Sequence, residues 1–280
     1  MILPTTAQTC LINGLTIRYA VIGQGPPLLL IHGFGAMLEY WYQNIEYFAQ
    51  KYQVIVVDLP GFGYSDAPKS SPDLDYYSDF IKHFMDALAL KTADIVGHSL
   101  GGAVALRFSE CHTAYVKKLI LLSSAGFATQ LGWSFRLLTL PILGKILLKA
   151  SREQFAAVFR SHVYDPHCLT DEFIDLIYQA QNNQMAQEIF LALLKRDANI
   201  FGIKPRVIAP IAKDIKYLQD INILMLWGKQ DHVLDYNIHT AAAKKLLATV
   251  PLISIDHCGH LPQLEHSTFV NKTIGEFLQC

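Results

Sequence analysis

The 280-residue sequence lacks the charge and the targeting segments that mark several specialised classes of protein. Its 23 basic and 24 acidic residues nearly cancel, so the basic surplus of a nucleic-acid-binding protein is missing and no nucleic-acid partner is expected. The first ten residues, MILPTTAQTC, contain no basic stretch followed by an apolar one, so we do not expect a secretory signal. Internal repeats and low-complexity tracts are absent as well.

Cysteine is scarce and scattered. The five cysteines, at positions 10, 111, 168, 258 and 280, are odd in number and show no CxxC spacing. This usage does not indicate a disulfide framework and favours a reducing compartment, so we expect a cytoplasmic protein. His257 and His260 lie three residues apart but have no further ligand at a suitable spacing, and no metal or cofactor is expected.

Long hydrophobic runs are also missing, since no window reaches the roughly 18 apolar residues of a membrane span. The most apolar stretch, LGWSFRLLTLPILGKILLKA (131–150), is interrupted by Arg136, Pro141, Lys145 and Lys149. Two interpretations stay open for this stretch. It is a lid helix with its apolar face on the core, or an amphipathic element that contacts a membrane or lipid surface transiently.

Short apolar runs recur at regular distances along most of the chain. They are LLLI (28–31), QVIVV (53–57), ADIVG (93–97), KLILL (118–122), NILMLW (222–227) and PLISI (251–255). Continuous apolar runs of this length are typical of parallel strands that are buried on both faces. Helix-like stretches separate most of them, and Asn13-Gly14 indicates a hairpin near the start. The pattern predicts an α/β fold with a mostly parallel, doubly wound sheet.

One long segment interrupts this alternation. From about residue 127 to 210 no strand is predicted, and the segment is apolar, helix-patterned and broken by several prolines. Its length far exceeds that of an ordinary connection. We therefore predict a core made of residues 1–126 and 211–280, with an inserted helical subdomain at 127–210.

The motif Gly97-x-Ser99-x-Gly101 lies where the strand ADIVG gives way to the helix LGGAVALRF. A sharp strand-to-helix turn strains the serine backbone and needs small residues two positions away on either side. Such a turn lifts the hydroxyl above the sheet and places it at a helix N-terminus, which favours developing negative charge. Ser99 is therefore the candidate nucleophile.

A serine nucleophile needs a base, and the base needs an orienting acid. Asp231 follows the run NILMLW, and His260 follows the run PLISI just before the last helix-like stretch. Both positions are carboxyl ends of predicted parallel strands, where ligands bind in such sheets. We predict His260 as the base and Asp231 as its orienting acid.

Other residues near these motifs are weighed as alternatives. Asp235 is expected to cap the helix beginning at YNIH, and Asp256 lies too close to the strand of His260 to orient that imidazole. His98 is expected to position the site, with its side chain directed away from Ser99, and Cys258 to serve in packing. The remaining histidines, at 83, 112, 162, 167, 232, 239 and 266, are expected mostly at the surface or at interfaces.

Two glycine-containing loops follow strands. HGFG (32–35) ends the run LLLI, and its backbone N–H groups can face the serine. We assign the oxyanion donors to the backbone N–H groups of Phe34 and of Leu100, the residue after the nucleophile. The second loop, DLPGFGYSD (58–66), is expected to shape the pocket rim, because it lacks the GxGxxG spacing of a dinucleotide site.

Together, HGFG, DLPGFGYSD, GHSLGG, WGKQDHV and CGHLPQLE resemble the motifs of the α/β-hydrolase family, in family order and across almost the whole chain. The resemblance implies an acyl-enzyme reaction at Ser99, with His260 and Asp231 completing the triad. It also implies that 127–210 is the helical cap that covers the site and selects the substrate.

Two branches of the family are similar to this chain. HVYDPHCLTDEF and CGHLPQLEHSTF resemble meta-cleavage-product hydrolases, which split carbon–carbon bonds of ring-fission dienoates. Those enzymes tend to have Asn before the serine, an aromatic residue after the histidine and a cap arginine, where this chain has His98, Leu261 and Ile177. HGFG, WGKQDHVLD and CGH also resemble the monoacylglycerol lipase and esterase branch.

We therefore expect a serine carboxylester hydrolase acting on a small-molecule ester with an apolar acyl group. The apolar residues of the cap are expected either to line an acyl tunnel or to form the core of the cap; they are Leu137, Leu138, Leu140, Ile142, Leu143, Ile146 and Leu147. The alternatives are a C–C hydrolase with the same triad, an acyltransferase, and a ligand-binding receptor on a hydrolase scaffold. No oligomeric state is predicted.

Overall fold

The computed structural model describes residues 7–279. Residues 1–6, which form most of the segment examined for a secretory signal, and Cys280 lie outside the described part. The strands are β1 (Gln8–Ile12), β2 (Leu15–Ile22), β3 (Pro27–Ile31), β4 (Gln53–Val57), β5 (Ala93–His98), β6 (Val116–Leu122), β7 (Ala198–Asn199), β8 (Gly202–Ile203), β9 (Asn222–Gly228) and β10 (Leu252–Ile255).

The helices follow the predicted alternation with the strands. They are α1 (Tyr42–Ala49), α2 (Leu74–Ala87), α3 (Leu100–Cys111), α4 (Trp133–Leu138), α5 (Pro141–Leu147), α6 (Arg152–Arg160), α7 (Asp171–Gln181), α8 (Gln184–Asp197), α9 (Pro205–Asp214), α10 (Tyr236–Leu246), α11 (Pro262–Glu265) and α12 (Ser267–Gln279). Short 3-10 turns lie at Leu38–Trp41, Thr113–Tyr115, Pro166–Cys168 and Ile215–Leu218. Within residues 7–279 no helix is long and apolar enough to cross a bilayer.

Eight strands form one sheet in the order β1-β2-β4-β3-β5-β6-β9-β10. β1 and β2 pair antiparallel through the predicted Asn13-Gly14 turn, in which both residues have positive φ, 50° and 82°. β2 is antiparallel to β4, and every other neighbouring pair is parallel. The mostly parallel sheet predicted from the apolar runs is therefore confirmed.

Side chains of the central strands are buried on both faces of the sheet, which explains why their sequences do not alternate. Leu29, Ile55 and Ile95 pack toward α2 and α3. Leu28 and Val54, one residue earlier along their strands, pack toward α1 and α12 on the opposite face. Because successive side chains of a strand point to opposite faces, a strand covered on both sides is apolar throughout.

Helices α4 to α9 lie between β6 and β9, and all but the end of α9 fall within the segment predicted as the cap. Phe159, Phe173 and Ile177 of these helices pack against Met37 and Tyr40, which follow the HGFG loop. These helices, called the cap segment below, are thereby held against the loop at the carboxyl end of β3.

Two details of the predicted cap differ from the structure. The expectation of no strand between 127 and 210 is wrong, because β7 and β8 form a two-residue hairpin. Gly202 turns this hairpin at φ 122°, and a Cβ there would lie 2.2 Å from the Thr129 carbonyl oxygen. Paired segments this short leave no apolar run in the sequence. Helix α9 also runs across the predicted boundary between 210 and 211.

Candidate active site

Ser99 lies in the turn between β5 and α3, with φ 54° and ψ −118°. Its N–H donates to the Leu122 carbonyl at 3.0 Å. The flanking glycines are required by close backbone approaches, since a Cβ on Gly97 would lie 2.4 Å from the Gly101 carbonyl oxygen. A Cβ on Gly101 would lie 2.3 Å from the carbonyl oxygen of Ile31. The small residues therefore let α3 begin directly against the sheet while Ser99 keeps a strained left-handed backbone.

His260 and Asp231 come from the loops after β10 and β9 and meet Ser99 at the carboxyl edge of the sheet. His260 Nε2 lies 3.0 Å from Ser99 Oγ, and His260 Nδ1 lies 2.8 Å from Asp231 Oδ2. All three residues are buried. The structure thus brings together the three side chains that the sequence predicted at separate strand ends.

Asp231 is oriented by more than the imidazole. Its Oδ1 accepts the backbone N–H groups of Val233 and Leu234, both at 2.9 Å, and its Oδ2 accepts Trp227 Nε1–H at 3.1 Å. The Asp231 side chain has no solvent exposure. These donors replace the water that a buried carboxylate loses and aim Oδ2 at His260.

His98 holds the loop of His260. Its Nε2 lies 2.8 Å from the His260 carbonyl oxygen, so Nε2–H donates to that oxygen, whereas Nδ1 is buried without a partner among the described residues. Burial first, and then the neighbouring His260, hold the pKa of His98 well below its usual range. His98 is therefore a neutral imidazole at neutral pH, with its donor aimed at the backbone of His260.

The alternative acids and thiol have other contacts. Asp235 accepts Ile238 N–H at 3.0 Å as the N-cap of α10, and Asp256 pairs with Lys229 at 2.7 Å. Cys258 is buried with its Sγ 3.9 Å from Glu265, and burial raises the pKa of its thiol well above the usual range. Among the hydrogen bonds of residues 7–279, none joins these three side chains to Ser99 or to the His260 ring.

Phe34 and Leu100 both line the cavity beside Ser99. Within residues 7–279 neither of their backbone N–H groups has a hydrogen-bond acceptor, whereas the N–H groups of Gly102 and Ala103 donate to the Ser99 carbonyl. Both predicted donors are thus unpaired next to the serine. An oxyanion formed beside Ser99 would supply their missing acceptor.

Side chains beneath HGFG hold that loop in place. His32 Nδ1–H donates to the Gly33 carbonyl at 2.8 Å, and His32 Nε2 accepts Leu59 N–H at 2.9 Å. Burial lowers the pKa of His32 to about 4, so its ring stays neutral. The second glycine loop was predicted to shape the pocket rim, and Gly61 and Phe62 of that loop do line the cavity.

A cavity of about 850 Å³ extends from Ser99 between the sheet edge and the cap. Its walls are mainly apolar and aromatic. The lining includes four of the seven apolar cap residues singled out in the sequence, namely Leu137, Leu138, Ile146 and Leu147. Among the described residues, no arginine lines it, and its charged side chains other than histidine are Lys149 and Asp197.

Sequence reasoning gave no role at the site to three further residues. One is Trp227, the partner of Asp231. Another is His162, which was expected at the surface or an interface but lines the cavity with its Nε2 3.2 Å from Ser134 Oγ. Burial, followed by the neighbouring His260, lowers the pKa of His162 to about 4. An isolated histidine in a helical segment gives no sequence signal for this place.

The third is Glu265, which ties the cap to the His260 loop. Its carboxylate accepts N–H groups of Gly259 at 2.9 Å, Leu261 at 3.2 Å and Tyr164 of the cap at 2.7 Å. The His260 N–H in turn donates to the His162 carbonyl at 2.8 Å. Glu265 follows His260 by five residues, so its position in the CGHLPQLE motif was the available signal.

The chain is similar to known hydrolases along almost its whole length. A family model described as "alpha/beta hydrolase fold" matches residues 26–267. A 2-hydroxymuconate semialdehyde hydrolase from Pseudomonas sp. (strain CF600) is 27% identical over 281 residues, covering 98% of this chain and 94% of that protein. A solved meta-cleavage product hydrolase from Pseudomonas fluorescens IP01 matches with a TM-score of 0.82 and 26% identity over 97% of each chain. A membrane phospholipase A matches with a TM-score of 0.77 and 24% identity, covering 98% of this chain and 86% of that one, and shares the fold.

Proposed function

Because this chain belongs to the α/β-hydrolase family and is a hydrolase, we propose that Ser99, His260 and Asp231 form its catalytic triad. The resemblance and the fold class predicted from the motifs are confirmed by the family match. The roles proposed for the three side chains rest on their hydrogen-bonded chain and on their places at strand ends.

In this mechanism His260 Nε2 takes the proton of Ser99 Oγ as the serine attacks an acyl carbonyl carbon. The N–H groups of Phe34 and Leu100 stabilise the oxyanion that forms. Protonated His260 then gives the proton to the leaving oxygen, and the acyl group stays on Ser99. Water, deprotonated by His260, attacks the acyl-enzyme and releases the acid. Asp231 stabilises the imidazolium and keeps Nδ1 protonated throughout.

The substrate class we propose is an ester with an apolar acyl group, of the monoacylglycerol or simple carboxylester type. The apolar cavity that opens from Ser99 carries this proposal. Burying an acyl chain there gains about 0.8 kcal/mol for each methylene group, with no charge to desolvate. The described lining contains no arginine that could bind a carboxylate on the substrate.

A C–C hydrolase with the same triad is the second candidate, and the names of the full-length relatives favour it. A ring-fission dienoate carries a carboxylate that needs a cationic partner. Ile177, at the position where such enzymes are expected to have their cap arginine, is buried in the apolar contact between cap and core. This contact supports ester hydrolysis over dienoate cleavage.

The test is a panel of nitrophenyl and glyceryl esters of increasing acyl length, run beside one ring-fission dienoate. We expect esters with longer apolar chains to be hydrolysed fastest and Ser99→Ala to lower their turnover by at least about a thousandfold. Faster consumption of the dienoate would favour the C–C hydrolase. Near-normal ester hydrolysis by Ser99→Ala would refute the triad, and tight retention of ligand without turnover would favour the receptor alternative.

The location stays a prediction. Four of the five cysteines lie in the described residues, and all four are free thiols: Cys10, Cys111, Cys168 and Cys258. Unpaired thiols support the proposed reducing, cytoplasmic compartment.

A further inference from the structure

The outer surface of the cap carries a concentration of exposed apolar side chains. We define the cap patch by six of them with their exposed fractions: Trp133 63%, Leu137 37%, Ile142 76%, Ile146 61%, Leu147 40% and Phe201 83%. Single exposed apolar residues are ordinary, but large aromatic and aliphatic side chains gathered on neighbouring elements mark an interaction surface.

Helical spacing arranges these side chains in rows. Trp133 and Leu137 are four residues apart on α4, and Ile142 and Ile146 are four residues apart on α5, so each pair lies on one helix face. Arg136 joins the patch to the β7–β8 hairpin, because its guanidinium stacks 3.8 Å from the Trp133 ring centroid and its Nε–H donates to the Ile200 carbonyl. The tip of that hairpin is Phe201.

The charged residues of the segment that carries five of the six patch residues are of one sign. Residues 131–150 contain Arg136, Lys145 and Lys149 and no aspartate or glutamate. Both lysines are exposed. Apolar side chains beside basic ones fit a surface that offers negative charge above an apolar interior, which is an anionic lipid bilayer.

The patch is continuous with the cavity. Leu137, Ile146 and Leu147 belong to the cap patch and also line the cavity. Lys149, one of the exposed lysines beside the patch, lines the cavity too. An apolar chain can therefore pass from the outer face of the cap toward Ser99 along apolar side chains.

We propose that the cap patch docks on anionic lipid membranes, so that ester substrates enter the cavity from the bilayer. The docking stands on the patch itself, whereas the delivery of substrate rests on the ester hydrolysis proposed above. Exposing these apolar side chains to water is unfavourable, and contact with a bilayer would bury them.

Tryptophan fluorescence gives a direct readout of docking. Of the three tryptophans, Trp41 and Trp227 are 1% and 0% exposed, whereas Trp133 belongs to the patch. We expect the emission of the intact protein to shift to the blue with vesicles of phosphatidylcholine and phosphatidylglycerol, and less with phosphatidylcholine alone. The shift should be absent in Trp133→Phe.

Vesicle co-sedimentation tests the patch with residues that do not line the cavity. Lys145→Glu should weaken binding to the anionic vesicles at least about fivefold, and added salt should weaken binding of the intact protein. Ile142→Ser should weaken binding about tenfold. The matched control is Leu11→Ser on strand β1, where the leucine is 73% exposed, and this variant should bind as the unchanged protein does.

Hydrolysis of a short water-soluble ester should be the same in Lys145→Glu, Ile142→Ser and the control, whereas hydrolysis of a vesicle-embedded long-chain ester should fall in the first two. Protein that stays in solution with the anionic vesicles would overturn the docking. So would equal binding by Ile142→Ser and Leu11→Ser, or a dimer that Ile142→Ser dissociates without any vesicle binding. If vesicles bind and no ester is hydrolysed, the proposed function fails while the docking holds.

Discussion

Replacing Asp231 with asparagine would remove its charge while keeping its shape. The carboxylate accepts four N–H groups: those of Val233 and Leu234 at Oδ1, and those of Trp227 and His260 at Oδ2. An asparagine has one acceptor oxygen and one donor nitrogen. Whichever way the amide is turned, its NH₂ group meets two donors.

With the amide nitrogen at the Oδ2 position, the donor–donor contact with His260 is relieved if the imidazole changes tautomer, so that Nδ1 accepts a hydrogen bond from the amide. The proton then sits on Nε2, 3.0 Å from Ser99 Oγ, where the imidazole must accept a proton instead. A triad in which the acid is replaced in this way loses about 10⁴ in turnover, which corresponds to about 5.5 kcal/mol in the activation free energy. We expect a loss of this size in Asp231→Asn.

The assay is the turnover of a short nitrophenyl ester near neutral pH, with thermal melting to verify the fold. The matched control is Asp235→Asn, because Asp235 lies four residues away and caps α10 through Ile238 N–H. Asparagine caps a helix N-terminus as well as aspartate does, so Asp235→Asn should keep its stability, and its activity should stay within about twofold. Turnover by Asp231→Asn above a tenth of the unchanged protein, or an equal loss in Asp235→Asn, would refute the assignment.

Three further predictions follow from buried contacts. Burial lowers the pKa of His32 from 6.5 to about 4. Its neutral form therefore contributes about 3 kcal/mol of stability above pH 6.5, and this contribution is lost as the pH falls to about 4. A urea midpoint that stays unchanged over this pH range would contradict the prediction. Glu265→Gln places an amide donor against the backbone N–H groups that the carboxylate accepts, and it should lower kcat about tenfold in steady-state assays. An unchanged kcat would show that the contact of Glu265 with the cap is not needed for turnover. Gly97→Ala places a methyl group 2.4 Å from the Gly101 carbonyl oxygen and should lower the free energy of unfolding by about 2 kcal/mol or more, measured by denaturant titration. Gly14→Ala is its control, because nothing lies within 4 Å of the added methyl group there and only the positive φ of 82° costs stability, about 1 kcal/mol. A loss in Gly97→Ala no larger than in this control would contradict the steric reason.

The sequence by itself determined the features that depend on neighbours along the chain. Apolar runs without alternation predicted strands buried on both faces, and the glycines around Ser99 predicted a strand-to-helix turn too tight for larger residues. Asp231 and His260 were found because each follows a strand-like run, and parallel strands end at one edge of the sheet. These inferences need only local spacing and one rule of sheet geometry.

Only the tertiary structure decided which distant side chains surround those residues. Trp227 donates to Asp231 from strand β9, whereas His162 and Glu265 reach the site through folding of the cap segment and of the loop at His260. Trp227 and Glu265 lie inside the motifs WGKQDHV and CGHLPQLE, but those motifs do not state which groups the two side chains contact. The cap helices also divide their apolar residues between two surroundings: Leu138 lines the cavity, whereas Ile142 is 76% exposed. A hydrophobic pattern states that a helix has an apolar face, but the partner of that face is set by packing across the fold.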